Sequence, residues 1–77
     1  MKKEAKSNKA FEAFIFKHFD TDTEFVTELN KRNESWDKSK FSRIKLGTQQ
    51  PKVDDLVDMS YVTKTPIADI AMLFVGD

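Results

Sequence analysis

The residues best suited to chemistry lie in one basic segment in the middle of the chain. Five cations against the single acid Asp37 give residues 37–52 a net charge of +4. Lysine and arginine neutralise phosphate, and arginine can also donate two hydrogen bonds to guanine O6 and N7. This composition is typical of a surface that contacts double-stranded DNA. The cations are Lys38, Lys40, Arg43, Lys45 and Lys52.

Small hydroxyl side chains are interleaved with these cations. In a helix that turns by about 100° per residue, Phe41 and Ile44 mark the inward side. Ser39, Ser42 and Arg43 then point nearly opposite, with one lysine on each flank. Serine is short enough to let a helix axis approach the bases of a major groove while arginine reads them. The alternative interpretation, which charge alone leaves open, is an ordinary solvated helix face.

The remaining candidates surround this helix. Lys40, Lys45 and Lys52 are placed to neutralise phosphates, and Gln49 or Gln50 can bond a base edge or a phosphate. The full set of candidate DNA-binding residues is Lys38, Ser39, Lys40, Ser42, Arg43, Lys45, Gln49 and Lys52.

Five short helices are predicted to position these residues, because apolar side chains recur at helical spacing and no alternating strand pattern competes. The capping box Thr21–Glu24 separates the first two helices. A polar break at 33–35 follows the second helix. The apolar stripes are Phe11, Phe14, Ile15 and Phe19 in the first helix and Phe25, Val26 and Leu29 in the second.

The third helix carries the clearest boundary signals. Asp37 is predicted as its N-cap, with Trp36 and Phe41 in the positions of a hydrophobic staple. Gly47 is predicted to end the helix in the left-handed conformation.

Two further helices are predicted after it. Pro51 is expected to open the fourth helix, and Thr65 with Pro66 to cap and start the fifth. The expected buried positions are Val53, Leu56 and Val57 in the fourth helix and Ile67, Ile70, Ala71 and Phe74 in the fifth.

The last helix has more apolar residues than one buried stripe requires. We expect Met72, Leu73 and Val75 to remain exposed and to form a dimer or partner contact. The alternative is a short terminal helix that is buried on all sides.

Composition bounds the function. Seventy-seven residues with 39% hydrophobic content allow one domain with a small core. The absence of cysteine excludes disulfides, thiol catalysis and cysteine-bound zinc. His18 is the only histidine, and Gly47 and Gly76 are too few for a phosphate-binding glycine loop. We therefore expect no enzyme, no catalytic residues, no cofactor and no metal.

The sequence predicts neither a membrane span nor a signal peptide. No apolar run approaches 18 residues, and the basic start of the chain lacks the apolar stretch of a signal peptide. We expect a cytoplasmic protein without a membrane partner; that the cell is a bacterium or a phage-infected host is what the family resemblance described next implies.

The segment 39–47, followed by Gln50 and Pro51, resembles the recognition-helix signature of lambda-repressor-like helix-turn-helix proteins of the Cro/CI/XRE type. Residues 37–43 also resemble the recognition helix of phage CII-type activators. The resemblance implies a compact all-α, five-helix DNA-binding domain that usually acts as a homodimer. Such dimers place two recognition helices in successive major grooves about 34 Å apart.

The resemblance also implies a function, domain bounds and base-reading positions for this chain. The resemblance implies a sequence-specific transcriptional regulator of phage or prophage type, with its recognition helix at about 38–46. Residues 10–77 would form the helix-turn-helix domain. Residues 1–9 are interpreted as a basic N-terminal arm, for which disorder is one interpretation. The family's base-reading positions fall on Lys38, Ser39, Ser42 and Arg43, and Gln49 falls in a loop that often adds a contact.

Two features depart from the family pattern. The chain between Val26 and Ser39 is about five residues longer than the usual tight turn. The second helix also carries Asp22, Glu24 and Glu28, which we expect to complement the helix dipole but which would repel phosphate. These acids support an alternative of another class, an antirepressor of the same fold that binds a partner repressor. An antitoxin of this fold is a third alternative.

Overall fold

Five α-helices connected by short segments account for most of residues 8–75, the part of the chain that the computed structural model describes. No strand occurs within this part, so the prediction of an all-α fold of five helices is confirmed. The helices are α1 (Lys9–His18), α2 (Asp22–Arg32), α3 (Lys38–Leu46), α4 (Val53–Thr63) and α5 (Ile67–Met72). None of these helices is both long and apolar enough to cross a membrane.

The first three helices begin at polar side chains that accept a free backbone N–H of the first turn, which stabilises a helix end by about 1 kcal/mol. These bonds join Asn8 to the N–H of Phe11 at 2.9 Å, Thr21 to that of Glu24 at 3.2 Å and Asp37 to that of Lys40 at 2.8 Å. The predicted caps at Thr21 and Asp37 are therefore confirmed. The capping box is shifted by one residue, because the Glu24 carboxylate accepts the N–H of Asp20.

The core is built around the ring of Phe11. Its centroid lies 4.9 Å from Phe74, 5.7 Å from Phe41 and 6.3 Å from Phe25. Aromatic pairs at such distances add about 0.5–1.5 kcal/mol beyond the area that they bury. The buried apolar residues are Phe11, Ile15, Phe25, Val26, Leu29, Trp36, Phe41, Ile44, Met59 and Ile70, with Phe14, Phe19, Leu56, Val62, Leu73 and Phe74 packed against them.

The predicted buried side of α4 is wrong for Val53 and Val57, whereas Leu56 packs against the core. Val53 is 72% exposed, and Leu56 and Val57 are only half-buried. The helix is rotated because two of its carboxylates accept hydrogen bonds from residues 32–52 and therefore lie inside. The buried residues of α4 are Asp55, Asp58, Met59 and Thr63.

The last two helices begin later than predicted. Pro51 does not open α4: Lys52 is the N-cap, and its backbone N–H donates to the Asp55 carboxylate at 2.9 Å. The helix α5 follows Pro66, and the Thr65 hydroxyl donates to the Thr63 carbonyl at 3.3 Å and makes no cap.

The buried positions of α5 are confirmed only in part. Ile70 is fully buried, Ala71 and Phe74 are half-buried, and Ile67 is exposed. Because α5 is only six residues long, it covers the core with one side, and Ile67 lies outside that side. Met72 and Val75 are exposed as expected, whereas Leu73 is half-buried.

Asn8 joins the ends of three helices. It caps α1, its backbone N–H donates to the Lys45 carbonyl at the end of α3 (2.9 Å), and its side-chain amide donates to the Leu73 carbonyl after α5 (2.8 Å). Asn8 and Lys9, which fall within the predicted N-terminal arm, are thus part of the helical structure. The rest of that arm, residues 1–7, lies outside the described residues.

Candidate nucleic-acid interface

The helix α3 is fixed by two buried side chains and exposes its other side. Phe41 is 3% exposed and Ile44 is 1% exposed, which confirms the predicted inward direction. Ser39, Ser42 and Arg43 are exposed on the opposite side. The structure therefore brings the two serines and the arginine together on one free surface.

The connection between α2 and α3 is five residues long, 33–37, and is held by side chains. The Asn30 amide donates to the carbonyls of Trp36 (2.8 Å) and Glu34 (3.3 Å). Asn33 accepts the N–H of Ser35 at 3.0 Å. These bonds satisfy polar groups that an irregular segment would otherwise leave unpaired. The extra residues before α3 thus form a defined turn.

Asp58 is the centre of a buried polar network beside this turn. Its carboxylate accepts hydrogen bonds from Arg32 Nε (2.9 Å), Asn33 Nδ2 (3.1 Å) and Trp36 Nε1 (2.9 Å). Three donors to one buried carboxylate offset the cost of taking its charge out of water. The network fastens the end of α2 and the start of α3 to α4. Sequence reasoning missed Asp58, although an aspartate between Val57 and Met59, three residues after Asp55, was a visible signal.

Asp55 holds a second part of the same junction. Its carboxylate accepts from Lys40 Nζ at 2.7 Å, and the same ammonium lies 4.2 Å from the centroid of the Trp36 ring. The Lys40 side chain is only 16% exposed as a result. Lys40 therefore has a structural role in the free protein, besides the phosphate contact that was predicted for it.

Lys45 is also paired with a carboxylate. Its ammonium bonds Asp22 at the first turn of α2, across the groove between α2 and α3. One oxygen of Asp22, Oδ1, is buried and has no hydrogen-bond partner among residues 8–75. The groove holds about 420 Å³ and is lined by Asp22, Thr23, Val26, Lys38, Phe41, Ser42, Lys45 and Leu46.

Lys38, Arg43 and Lys52 make no ion pair with a carboxylate of residues 8–75. Lys38 and Lys52 are exposed. Arg43 Nε donates a hydrogen bond of 2.8 Å to Gln49 Oε1, a neutral partner that leaves the positive charge uncompensated. Of the five predicted cations, these three carry the free positive charge of the surface.

The acids of α2 are engaged within the domain. Asp22 pairs with Lys45, Glu24 accepts the N–H of Asp20, and Glu28 pairs with Lys31 at 3.1 Å. Asp22 and Glu24 lie in the first turn of α2, where negative charge complements the helix dipole.

A second, wider groove of about 1120 Å³ lies between α2 and α4. Arg32 and Tyr61 both line this groove, and the guanidinium of Arg32 lies 4.2 Å from the centroid of the exposed Tyr61 ring. None of the predicted DNA-binding residues lines this groove.

The resemblance to lambda-repressor-like proteins covers about residues 10–74, and its most specific motif lies in residues 39–51. In the structure these residues form most of α3, the left-handed turn at Gly47 and the approach to α4. Comparisons of the chain with protein-family models, with curated proteins and with solved structures found no match. The family resemblance and the DNA-binding residues therefore stay predictions.

Proposed function

We propose that the protein is a sequence-specific, DNA-binding transcriptional regulator of phage or prophage type with a lambda-repressor-like helix-turn-helix fold. The helix α3 would enter the major groove. The observation that carries the proposal is the exposed side of α3, where Ser39, Ser42 and Arg43 lie together opposite the buried Phe41 and Ile44.

The shape of this surface supports the proposal. Two short hydroxyl side chains keep the helix surface low, so that its axis can approach base edges, and Arg43 supplies donors that match guanine. Lys38 at the start of α3 and Lys52 before α4 lie at the two ends of the same segment, where phosphate contacts would orient the helix.

The charges predict modest and salt-dependent binding. If Lys38 and Lys52 each neutralise one phosphate while Arg43 reads a base, log K should fall with log salt with a slope of roughly −2 per protomer. Lys45 and Lys40 would add to this slope only after separation from Asp22 and Asp55.

The test is fluorescence anisotropy with duplexes selected by the protein from a random pool and with unselected duplexes, each at two salt concentrations. Arg43→Ala should weaken binding to selected DNA roughly 5- to 150-fold and relax preference at one base pair. Lys52→Ala should weaken binding to both DNAs alike and reduce the salt slope by about one. The exposed Lys17 of α1, replaced by alanine, is the matched control. Absence of DNA binding by the folded protein at about 50 mM salt would contradict the proposal.

One observation favours the alternative of an antirepressor. Lys40 and Lys45 are paired with carboxylates, so the predicted DNA surface carries less free charge than its sequence indicates. A protein that binds a basic repressor surface does not need free lysines on α3, so the pairing of Lys40 and Lys45 with carboxylates would not weaken its binding. Under this alternative, the charge reversals Glu24→Lys and Glu28→Lys should abolish repressor binding, whereas a DNA-binding protein should bind nonspecific DNA more tightly. Co-elution with a repressor encoded by a neighbouring gene, without DNA binding, would favour the alternative.

A homodimer that uses the C-terminal helix is part of the proposal. Ile67, Met72 and Val75 expose apolar side chains at α5 and directly after it. Two copies that bury these side chains against each other would remove apolar area from water, which is the main favourable term in association. A dimer would also supply the second recognition helix that a palindromic operator requires.

A further inference from the structure

We propose that Gln49 is a positioning residue that determines base preference by holding the guanidinium of Arg43 in one orientation. The inference rests on the proposed DNA-binding function and names the contact that would give it specificity. Gln49 would act through Arg43 and would not need to touch the DNA itself.

The loop after α3 is folded back onto Arg43. Gly47 adopts φ 85°, a left-handed conformation that glycine reaches without steric cost. The backbone N–H groups of Thr48 and Gln49 both donate to the Arg43 carbonyl, at 3.0 Å and 3.2 Å. The Thr48 hydroxyl donates to the same carbonyl at 3.2 Å. The backbone beside Gln49 is thus fixed relative to Arg43 before any ligand arrives.

The side chains of Arg43 and Gln49 are joined as well as their backbones. Arg43 Nε donates to Gln49 Oε1 at 2.8 Å, and Gln49 is half-buried whereas Arg43 is exposed. Arginine has no acceptor, so the oxygen of the Gln49 amide must face it. Because the backbone of Gln49 is fixed relative to Arg43, this bond restrains the long arginine side chain near its Cδ end.

The bond selects how Arg43 can meet a base. A guanidinium has five N–H donors, and the bond to Gln49 occupies the one on Nε. A fork that uses Nε together with one Nη is therefore blocked, and the fork formed by Nη1 and Nη2 remains. These two donors match O6 and N7 of guanine, whereas adenine offers one acceptor and a donor at the same edge. Restraint also reduces the side-chain entropy that binding would otherwise cost.

The neighbouring Gln50 provides a matched control. It has the same side chain one residue later and is exposed, and no hydrogen bond of its side chain is found within residues 8–75. A general effect of glutamine in this loop should appear in both positions, whereas positioning of Arg43 should be confined to Gln49.

The experiment measures binding to four duplexes that differ only at the base pair where the wild-type protein prefers guanine. Gln49→Met keeps the size of the side chain but removes the acceptor, and it should reduce the preference for guanine roughly tenfold. Gln49→Glu keeps an acceptor and should retain the preference, and Gln50→Met should leave it unchanged. In the Arg43→Ala background, Gln49→Met should have no further effect, because the two residues act as a unit.

A second measurement tests the contact without DNA. The NMR signal of the Arg43 Nε–H should exchange slowly with water in the wild type and in Gln50→Met, and faster in Gln49→Met. Retention of the guanine preference by Gln49→Met would overturn the inference and leave DNA binding intact. A change of preference at a different base pair, or in the Arg43→Ala background, would also overturn it, because Gln49 would then read a base directly. Failure of the wild-type protein to bind any duplex would instead overturn the proposed function and this inference with it.

Discussion

The indole Nε1 of Trp36 donates a hydrogen bond of 2.9 Å to Oδ2 of Asp58. Trp36 is fully buried and directly precedes the N-cap of α3, whereas Asp58 lies on α4. The bond therefore fixes the start of the proposed recognition helix to α4, through a residue twenty-two positions after Trp36 in the chain. The presentation of α3 depends on a polar contact as well as on the aromatic core.

Asp58→Ala should reduce the free energy of unfolding by about 3–5 kcal/mol, because it leaves the partners of a buried carboxylate without an acceptor. Chemical denaturation, followed by the fluorescence of the single Trp36, measures this change. Asp54→Ala on the exposed side of α4 is the control and should cost less than about 1 kcal/mol, its contribution to the helix dipole. Equal midpoints and slopes for the two variants would contradict the role given to Asp58.

Alanine substitutions at Phe41 and Arg43 should lower the free energy of unfolding by very different amounts, although the two residues are only two positions apart. Phe41→Ala removes a ring that contacts Phe11 and Phe25 and should cost about 3–5 kcal/mol. Arg43→Ala should change the stability by only about 0.5 kcal/mol, since the side chain is exposed. Thermal denaturation followed by circular dichroism compares them. A tolerated Phe41→Ala together with an unfolded Arg43→Ala would mean that the orientation of α3 is wrong.

Asp22→Asn should strengthen DNA binding. The substitution removes the charge that pairs with Lys45, so that Lys45 becomes available to phosphate. Affinity for unselected duplexes should rise, and the salt slope should become steeper by about one unit. Asp20→Asn makes the same change in net charge at an exposed site that bears no ion pair within residues 8–75, and it should leave the slope unchanged. Identical slopes for the two variants would count against release of Lys45.

Gly47→Ala should destabilise the protein by about 1–2 kcal/mol, because a Cβ atom is unfavourable at φ 85°. Gly47→Asn should cost less, since asparagine enters the left-handed region more readily than alanine. Differential scanning calorimetry gives both values. The loop after Gly47 also holds Gln49, so Gly47→Ala should in addition weaken the preference for guanine. Equal stability of the alanine variant and the wild type would show that the turn relaxes without loss.

Met72→Asp should shift the protein towards the monomer. A carboxylate in the centre of an apolar contact between two copies would lose its hydration without a partner. Sedimentation velocity over a range of concentrations measures the dissociation. Tyr61→Asp, which alters an equally exposed ring on α4, is the control and should not affect association. If the wild-type protein is monomeric at all concentrations, the proposed dimer contact through the C-terminal helix is wrong.

The first three helices could be predicted because their signals are local. Apolar spacing gave the buried side of α2 and α3, and Thr21, Asp37 and Gly47 mark helix ends through contacts within a few residues. The exposed side of α3 followed from the buried positions of Phe41 and Ile44. Such features need no knowledge of the rest of the fold.

The orientation of α4 could not be predicted in the same way. Hydrophobicity places Val53 inside and Asp58 outside, but Asp58 accepts hydrogen bonds from Arg32 at the end of α2 and from Trp36 in the connection before α3, which are distant in sequence. The pairing of Lys45 with Asp22 and of Lys40 with Asp55 has the same origin. Each of these contacts depends on which helices lie side by side, and helical periodicity carries no information about that.

The bond between the Asn8 amide and the Leu73 carbonyl places the two ends of the described chain next to each other. A circular permutant that joins these ends by a short linker and opens the chain at the exposed Asp20 should therefore keep the fold. The position of Asn8 also has a practical consequence for fluorescent labelling. Asn8 also contacts the Lys45 carbonyl, so a fluorophore attached close to Asn8 or Leu73 would report on events at the C-terminal end of α3.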